Sequence, residues 1–381
     1  MKLGLFNTLV QKDTQRISVH KKSPKQSLVI DKWLFLCIII LSLFGLIMVY
    51  DASVAIAIRD FNDKYHFVRD QLRWFGIGVV GLFIFSRIDY HRLKPFVLPM
   101  LLVTLLLLLA VFIPGLGVRA LGARRWINVG FFIVQPAEIA KLTLILYLSA
   151  WLSQPEKGRL LAFLLLLGMV VGLIVLEPDL GTAIIIVGIA VTLYFLSGAP
   201  VSHFLTLVPI LLIGIGALAL LSPYRFSRIH TFVNPDRDPL GASYQINQVL
   251  LALGSGGVTG VGIGKSRQKY EYLPEANTDS IFAIIGEEVG YMGALAVIGI
   301  CVFIIWRGFR IARYAPDPFG RLTALGISLW FGIQTSINLS AMVALIPLTG
   351  IPLPLISYGG SSLIILMISF GILLNISRWK T

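Results

Sequence analysis

The chain has 381 residues, of which 56% are hydrophobic and only 13% are charged. A soluble domain of this composition would lack the polar surface that it needs in water, so soluble enzymes and soluble binding modules are excluded. The formal net charge of +13 would favour a nucleic-acid partner in a soluble protein. In a membrane protein such charge follows topology instead, and we expect no nucleic-acid partner.

Long apolar runs recur along the whole chain, and about 20 residues suffice for a helix to cross the hydrocarbon core of a bilayer. Strict two-residue alternation is absent, which favours helices over the strands of a membrane barrel. The sequence therefore predicts an all-α polytopic membrane protein with about ten transmembrane helices, at residues 33–50, 72–86, 95–114, 136–153, 160–176, 181–197, 203–221, 281–306, 322–347 and 353–377.

The basic residues indicate the orientation of these helices. Residues 1–32 form a basic tail, and this tail, the C-terminus and the short loops on the same side hold eighteen Lys and Arg, against six in the short loops opposite. The long 222–280 loop is not counted, because charges in long loops contribute little to orientation. The positive-inside rule then places both termini in the cytoplasm. Residues 33–381 are expected to form a single transmembrane domain.

Two loops on the extracytoplasmic side are long enough to carry a site, 115–135 and 222–280. The second is the only large polar segment of the chain, and it joins the seventh and eighth predicted helices. A long loop without regular structure is usually functional or disordered, and the many aromatic residues of this one argue against disorder. The functional site of the protein is therefore predicted to lie on the extracytoplasmic side.

Asp279 is the first candidate functional residue, because it lies at the edge of the apolar run that begins at residue 281. A carboxylate there is costly to desolvate unless it has a partner, so it marks a functional site. Glu287 and Glu288 lie two turns into the same helix, and one of them is expected to face the interior of the helix bundle. Glu177 precedes a tight turn, for which a capping role and a functional role both remain open.

Lys141 is the second candidate, a cation inside the fourth predicted helix. Glu138 lies three residues earlier on the same helical face, so the two side chains could neutralise each other. Alternatively, Lys141 faces a central cavity and pairs with a carboxylate of another helix. Asp279 is suited to that role, because both residues are predicted near the outer ends of their helices. The sequence leaves the two pairings open.

An anion site is predicted at the outer surface. Three arginines of the 115–135 loop, Arg119, Arg124 and Arg125, lie close in sequence to Trp126 and break the positive-inside trend. They favour an anionic headgroup such as pyrophosphate, although interfacial anchoring is the alternative. The run Gly264-Lys265-Ser266 is not read as a nucleotide-binding loop, because Thr259 stands where such a loop needs its first glycine. Two functional classes remain open: an enzyme acting on a lipid-linked phosphate and a transporter of an anionic solute.

The chain also carries seven motifs in a fixed order: GARRWI (122–127), QPAEIAK (135–141), EPDLGTA (177–183), YQINQ (244–248), ALGSGG (252–257), YLPEANTDSIFAIIGEEVG (272–290) and PLPLISYGGSS (352–362). With these motifs it resembles the SEDS family (shape, elongation, division and sporulation), which are polytopic peptidoglycan glycosyltransferases. The uninterrupted GVGIGKSRQKYEYLPE looks like the cell-division branch, FtsW. The elongation branch, RodA, usually carries a longer insert there and is kept as the alternative.

The resemblance implies polymerisation of lipid II, a disaccharide-pentapeptide on undecaprenyl pyrophosphate, into glycan strands for septal cell-wall synthesis. The family's essential aspartate maps onto Asp279, as general base, and its paired lysine onto Lys141. A single base without a covalent intermediate implies inversion at the anomeric carbon. The resemblance also implies substrate contacts at Arg125, Arg124, Glu138, Gln248, Ser255, Glu275, Glu288, Ser357 and Tyr358.

Partners and location follow from the same resemblance. A class B penicillin-binding protein, which is a transpeptidase, and other membrane proteins of the divisome are the implied partners. The implied location is the bacterial inner membrane, as a multi-pass protein at the division septum. No cofactor is required by the motifs, although a divalent cation, Mg²⁺ or Mn²⁺, could assist the departure of pyrophosphate. A flippase for the same lipid is the competing function.

Overall fold

The computed structural model of the protein describes residues 25–26, 30–120, 123–130, 133–154, 159–220, 223–233, 243–270 and 272–380. Within these ranges the chain forms a small amount of β-structure and twelve α-helices: α1 Lys32–Phe61, α2 His66–Arg87, α3 Val97–Ala110, α4 Pro136–Leu152, α5 Leu160–Leu176, α6 Leu180–Leu196, α7 Val201–Leu220, α8 Pro223–Val233, α9 Tyr244–Ser255, α10 Ile281–Arg313, α11 Pro318–Met342 and α12 Gly360–Ile376.

Each of the ten predicted apolar runs coincides with one of these helices, α1 to α7 and α10 to α12. The prediction of a mainly helical, polytopic membrane protein is therefore confirmed. By length and composition, four helical stretches of the described chain suffice to cross a membrane: Lys32–Phe61, Tyr90–Ala110, Ile281–Arg313 and Pro318–Met342. Tyr90–Ala110 joins α3 to the 3₁₀ helix Tyr90–Phe96 that precedes it. The number of crossings remains a prediction.

Local sequence explains where several helices begin. Asp31, Asp179 and Asp317 precede α1, α6 and α11, and each side chain accepts a hydrogen bond from the backbone N–H three residues further on. Such caps satisfy donors that have no partner inside the helix. Proline occupies the first position of α4 and α11, where its missing N–H costs nothing.

The structure differs from the prediction in three main details. The last run was predicted to be helical from residue 353, but α12 begins at Gly360 and a non-helical segment precedes it. The 222–280 loop contains two helices of its own, α8 and α9. The chain is also not purely helical: β2 Gly117–Ala120, β3 Ala123–Asn128 and β4 Ile133–Val134 form an antiparallel sheet in the outer 115–135 loop.

The two ends of the described chain lie together. The strand β1, Lys25–Gln26, pairs with β5, Trp379–Lys380. The backbone N–H of Asp31 donates to Ser377, and Arg307 in the last turns of α10 forms an ion pair with the Asp31 carboxylate. Both ends are thus on one side of the helices, as a shared cytoplasmic location requires. Residues 1–24 and 27–29 of the predicted basic tail lie outside the described residues.

Helix α11 lies at the centre and packs against α4, α6 and α10, whereas α12 packs mainly on α2. Most side chains of α4 and α6 are buried, as expected for helices that are apolar on all sides. The outer helices instead expose large apolar side chains, for example Leu161 and Leu165 of α5, which are 69% and 64% exposed. In a membrane protein this surface faces lipid.

Gly45 of α1 tests how tightly the centre is packed. A Cβ atom added there would lie 2.6 Å from the backbone oxygen of Leu355 and 2.7 Å from the Cα atom of Ile356. We expect Gly45→Ala to lower the free energy of unfolding by about 1–3 kcal/mol, because backbone atoms cannot move aside as a side chain can. Thermal unfolding of the purified protein in detergent measures the change.

Gly76→Ala in α2 is the matched control, since a Cβ at that position meets nothing within 4 Å. Alanine is the better helix former, so this variant should be as stable as the parent or more stable by up to about 1 kcal/mol. Equal melting temperatures for the two variants would contradict the close contact between α1 and the segment before α12.

Candidate active site

Asp279 lies at the end of the loop between α9 and α10, two residues before α10 begins. Its side chain is buried, at 6% exposure, and its Oδ1 atom lies 3.4 Å from the hydroxyl oxygen of Thr278. Burial raises the pKa of the Asp279 carboxyl to about 7; the Glu275 carboxylate adds to this shift and the Arg228 guanidinium opposes it. Asp279 can therefore accept a proton close to neutral pH.

Buried polar groups fix the backbone around Asp279. The side-chain amide of Asn338, on α11, donates to the carbonyl oxygens of Asp279 and Ile351, at 2.8 Å each. The hydroxyl of Ser357 donates to the carbonyl of Thr278, at 2.6 Å. The Asp279 loop and the segment before α12 are therefore held as one unit.

Ser357 and Tyr358 were predicted to bind substrate, and the structure places both against the Asp279 loop. The backbone N–H of Tyr358 donates to the carbonyl of Asn277, at 2.9 Å. The Tyr358 ring packs against the rings of Phe67 and Trp74 on α2, with centroid distances of 5.2 and 5.1 Å. The contacts of these two residues support the loop that carries Asp279.

Lys141 is fully buried and already neutralised. Its Nζ atom lies 2.7 Å from Glu138 Oε1 and 3.0 Å from the Gln334 side-chain oxygen. The Trp330 ring centroid is 4.8 Å from the same atom. Of the two pairings that the sequence left open, the structure contains the local Glu138–Lys141 pair, and the direct Lys141–Asp279 pair is not present.

Lys141 and Asp279 are nevertheless connected through α11. Gln334, which contacts Lys141, and Asn338, which contacts the Asp279 carbonyl, are four residues apart on that helix. Residues at this spacing are neighbours on one helical face, roughly 5–6 Å apart. Lys141 and the Asp279 backbone thus contact side chains on successive turns of one face of α11. They share a supporting helix and make no mutual ion pair.

Arg125 lies on β3, and its guanidinium donates to the carbonyls of Glu177 and Pro178, at 3.1 and 2.6 Å. Arg124, beside it, is exposed. Asp179, which caps α6, also accepts a hydrogen bond from the Gln135 side chain at 3.2 Å. The sheet thereby delivers a cation to the turn between α5 and α6.

Glu177 is a buried acid, with 1% exposure, and neither of its carboxyl oxygens has a hydrogen-bond partner within the described chain. Burial raises its pKa to about 8; Asp179 adds to this shift, and Arg125 opposes it. Glu177 therefore retains its proton at neutral pH, and the Arg125 charge is not cancelled by an ionised carboxylate at this position.

Arg228, on α8, was missed by the sequence analysis. Its guanidinium donates to the carbonyl of Leu348 at 2.8 Å and lowers the pKa of Asp279. The available signal was a cation in an aromatic segment of the long outer loop. The direction in which the Arg228 side chain points could not be predicted, because α8 itself was not predicted.

Glu288 was predicted to bind substrate, but in the structure its carboxylate is bound by other groups of the protein. Its carboxylate accepts hydrogen bonds from the backbone N–H groups of Gly264 and Ser266 and pairs with Lys269, each at 3.0 Å. Lys269 Nζ also lies 2.7 Å from Asp51 Oδ1 on α1. This buried triad of Lys269, Asp51 and Glu288 attaches the outer loop to α1 and α10.

Two other residues that were predicted to contact substrate, Gln248 and Ser255, lie on α9. The Ser255 hydroxyl donates to the carbonyl of Ala252 in its own helix, and Gln248 is half-buried. On the same helix, Gln245 reaches the Asp279 loop, where it donates to the Ser280 hydroxyl at 3.2 Å. The polar face of α9 does approach the site, through a residue that the sequence analysis did not select.

The sequence analysis considered a divalent cation as an aid to the reaction. Within the described part of the chain, no group of three or more His, Cys, Asp or Glu residues is placed to hold a metal ion.

Lys269→Met tests the buried triad. Removing the cation leaves Asp51 and Glu288 as buried carboxylates without a counter-charge, and breaking a buried pair in this way commonly costs about 3–5 kcal/mol. A large drop in melting temperature is expected. Lys265→Met, at an exposed lysine of the same loop, should change stability by less than about 0.5 kcal/mol. Similar melting temperatures for both variants would show that the triad does not stabilise the protein.

Comparison with known proteins gives a consistent result. Residues 31–381 match the FtsW/RodA/SpoVE family model, which describes a cell cycle protein. Stage V sporulation protein E of Bacillus subtilis (strain 168) is 42% identical over 370 residues, which cover 96% of this chain and 100% of that protein. The probable peptidoglycan glycosyltransferase FtsW of Geobacter sp. (strain M18) is 39% identical over 345 residues, covering 89% and 94%.

Solved structures are similar over the same length. One comes from a study described as "Structural coordination of polymerization and crosslinking by a peptidoglycan synthase complex"; it has a TM-score of 0.75 and 29% identity, covering 92% of this chain and 98% of that chain. The rod shape determining protein RodA of Thermus thermophilus has a TM-score of 0.68 and 29% identity, covering 92% and 97%.

Proposed function

Because the chain belongs to the FtsW/RodA/SpoVE family of cell cycle proteins, we propose that it is a peptidoglycan glycosyltransferase that polymerises lipid II. One observation carries the proposal: Asp279 is a buried carboxyl group whose pKa is about 7, held in place by α11. A general base is most effective when its pKa is close to the working pH. The activity named for the FtsW relatives supports the same reaction class.

In the proposed reaction, Asp279 takes the proton of an acceptor sugar hydroxyl as that oxygen attacks the anomeric carbon of the donor. The new C–O bond forms while the bond to the pyrophosphate breaks, and its electron pair leaves with undecaprenyl pyrophosphate. The proton ends on Asp279. A single base and no covalent intermediate give inversion at the anomeric carbon.

The departing pyrophosphate gains negative charge, which cations close to it stabilise. Arg228 lies close enough to Asp279 to lower its pKa, and Arg125 is held at the turn that ends α5. We assign these two guanidinium groups to the pyrophosphate. Lys141, whose charge is compensated by Glu138, is assigned a positioning role through Gln334.

The division branch is favoured over the elongation branch. The FtsW and sporulation relatives are 37–42% identical to the chain, whereas the RodA structure is 29% identical. We therefore propose a bacterial cytoplasmic membrane protein that acts at the division or sporulation septum. A structural neighbour from a complex that couples polymerization to crosslinking supports a class B penicillin-binding protein as partner; other divisome partners remain a prediction.

A flippase for the same lipid is the second candidate, and one observation favours it. Helix α10 is broken at Gly290, where φ is 70° and ψ is −172°, and transporters often use broken helices. In this protein, however, the break is filled by loop backbone, with N–H groups of Tyr291 and Met292 donating to the carbonyls of Gly257 and Val258.

Asp279→Asn separates the two functions. In detergent, where sidedness is lost, an enzyme forms polymer from purified lipid II and a transporter forms no product. We expect the parent protein, assayed with its transpeptidase partner, to form polymer on a gel. The Asn variant should be slower by about 10²–10⁴-fold, the usual contribution of a positioned base.

The matched control is the melting temperature, because Asn is nearly isosteric and the carbonyl that Asn338 binds is retained. A folded Asp279→Asn variant with full activity would remove Asp279 from the mechanism. Absence of polymer from the parent protein, together with headgroup translocation in vesicles, would favour the flippase.

The pH dependence of kcat/KM tests whether Asp279 is the base, because two substitutions should shift its pKa in opposite directions. Activity should rise with pH through about 7 as Asp279 loses its proton. Glu275→Gln removes a negative charge that raises this pKa, so the rise should move to lower pH. Arg228→Gln removes a positive charge that lowers it, so the rise should move to higher pH. Shifts of both variants in one direction, or no shift, would contradict the assignment of the base.

A further inference from the structure

The glycine-rich segment 256–264, here called the glycine loop, is attached to the break in α10. The backbone N–H groups of Val261 and Gly262 donate to the carbonyls of Glu287 and Glu288, at 3.0 Å each. A Cβ atom on Gly260 would lie 2.1 Å from the Glu288 carbonyl oxygen, and one on Gly290 would lie 2.2 Å from the Gly260 nitrogen. The loop is therefore packed backbone to backbone on α10 and has a fixed position.

The side chains of this fixed loop point away from the protein. Val258 and Ile263 are each 65% exposed, and Val261 is 40% exposed. Residues 253–264 contain no charged side chain. Three aliphatic side chains on a rigid, uncharged loop form an apolar surface that does not belong to the active site.

That surface continues the lipid-facing side of α10. Met292, which the loop contacts directly, is 60% exposed, and Leu295, Val302 and Trp306 are 43%, 58% and 50% exposed. Their spacing places them on one face of the helix. The glycine loop thus lies at the outer end of a stripe that faces hydrocarbon.

The length of the stripe sets the depth of the loop. Trp306, followed by Arg307 and Arg310, has the composition of an inner membrane interface. The loop contacts α10 between Glu287 and Met292. At 1.5 Å per residue, Met292 lies roughly 21 Å and Glu287 roughly 28 Å further out than Trp306, and the hydrocarbon core is about 30 Å thick. The glycine loop therefore falls at the outer boundary of the hydrocarbon.

The residues after the loop fit the same boundary. Lys265 and Arg267 are exposed, and Tyr270 and Tyr272 are 55% and 57% exposed. Lysine and arginine reach lipid phosphates with their apolar stems in the interface, and tyrosine is enriched at the same depth. An apolar tip followed by cations and aromatic rings is the composition of an interfacial anchor.

We propose that the glycine loop is a membrane anchor, which inserts Val258, Val261 and Ile263 into the outer leaflet at the boundary between headgroups and acyl chains. Lys265 and Arg267 then face the lipid phosphates. Through the Lys269 triad the anchor fixes the height of the chain segment that leads to Asp279. The anchor does not depend on the proposed catalytic reaction.

Site-directed fluorescence tests the anchor without an activity assay. In a Cys37→Ser, Cys301→Ser background, Val261→Cys is labelled with NBD and reconstituted in phosphatidylcholine–phosphatidylglycerol vesicles. We expect blue-shifted emission, strong quenching by lipids that carry a spin label near the headgroup end of the acyl chain, and several-fold weaker quenching by aqueous iodide than at Lys64→Cys. Lys64 is an exposed residue of the outer α1–α2 connection.

Val302→Cys, in the lipid-facing stripe, is the positive control, and Ile263→Cys is a second site in the loop should the first variant fail to fold. Iodide quenching at both loop sites equal to that at Lys64→Cys would overturn the proposal. Shielding from iodide without quenching by spin-labelled lipid would also overturn it, because a protein surface would then cover the loop.

Discussion

The structure depends on one constraint: backbone that is not helical, yet lies inside a membrane protein, must find its hydrogen bonds within the protein. The Asp279 loop and the segment before α12 are such backbone. Asn338 satisfies one carbonyl from each of them, and Gln334 donates to the carbonyl of Pro352 at 3.0 Å. Gln71 of α2 donates to the carbonyl of Ser357 at 3.2 Å. These amides are buried because they replace helical hydrogen bonds, and they thereby position the candidate base.

The buried charges differ in how they are compensated, and the difference separates Asp279 from Lys141 and Lys269. Lys141 and Lys269 each have a carboxylate oxygen at 2.7 Å. In each of these pairs the lysine charge is met by the charge of a carboxylate. Asp279 is held by its backbone, while its carboxyl group makes no ion pair within the described part of the chain and its Oδ1 atom lies 3.4 Å from the Thr278 hydroxyl. Its pKa therefore stays near neutral, as a base requires.

Composition was sufficient to predict the ten apolar helices, because hydrocarbon accepts only long apolar runs. It was also sufficient to select Asp279 as a candidate, since a carboxylate at the edge of an apolar run is costly to desolvate and therefore marks a functional site. It could not predict α8 and α9, which are short and lie in a polar loop. The partner of Lys141 was undecidable, because a local pair and a long-range pair fit the same sequence. The role of Glu288 was missed for a related reason: Lys269 and Asp51 come from distant positions that only the fold brings together.

The same contacts bear on whether the protein catalyses a reaction or moves a solute. The first part of α10, residues 281–288, is buried on all sides. Its N-terminal end is held through Asn338 and Ser357, and its C-terminal end is held by the glycine loop. Alternating access requires an element that moves against its neighbours. Both ends of this half-helix are held, so it is not such an element. A fixed half-helix with a candidate base just before its start is instead preorganised, which is the property that stabilises charge in a transition state without rearrangement. The break in α10 thus serves to hold the site in place, and it favours the transferase over the transporter.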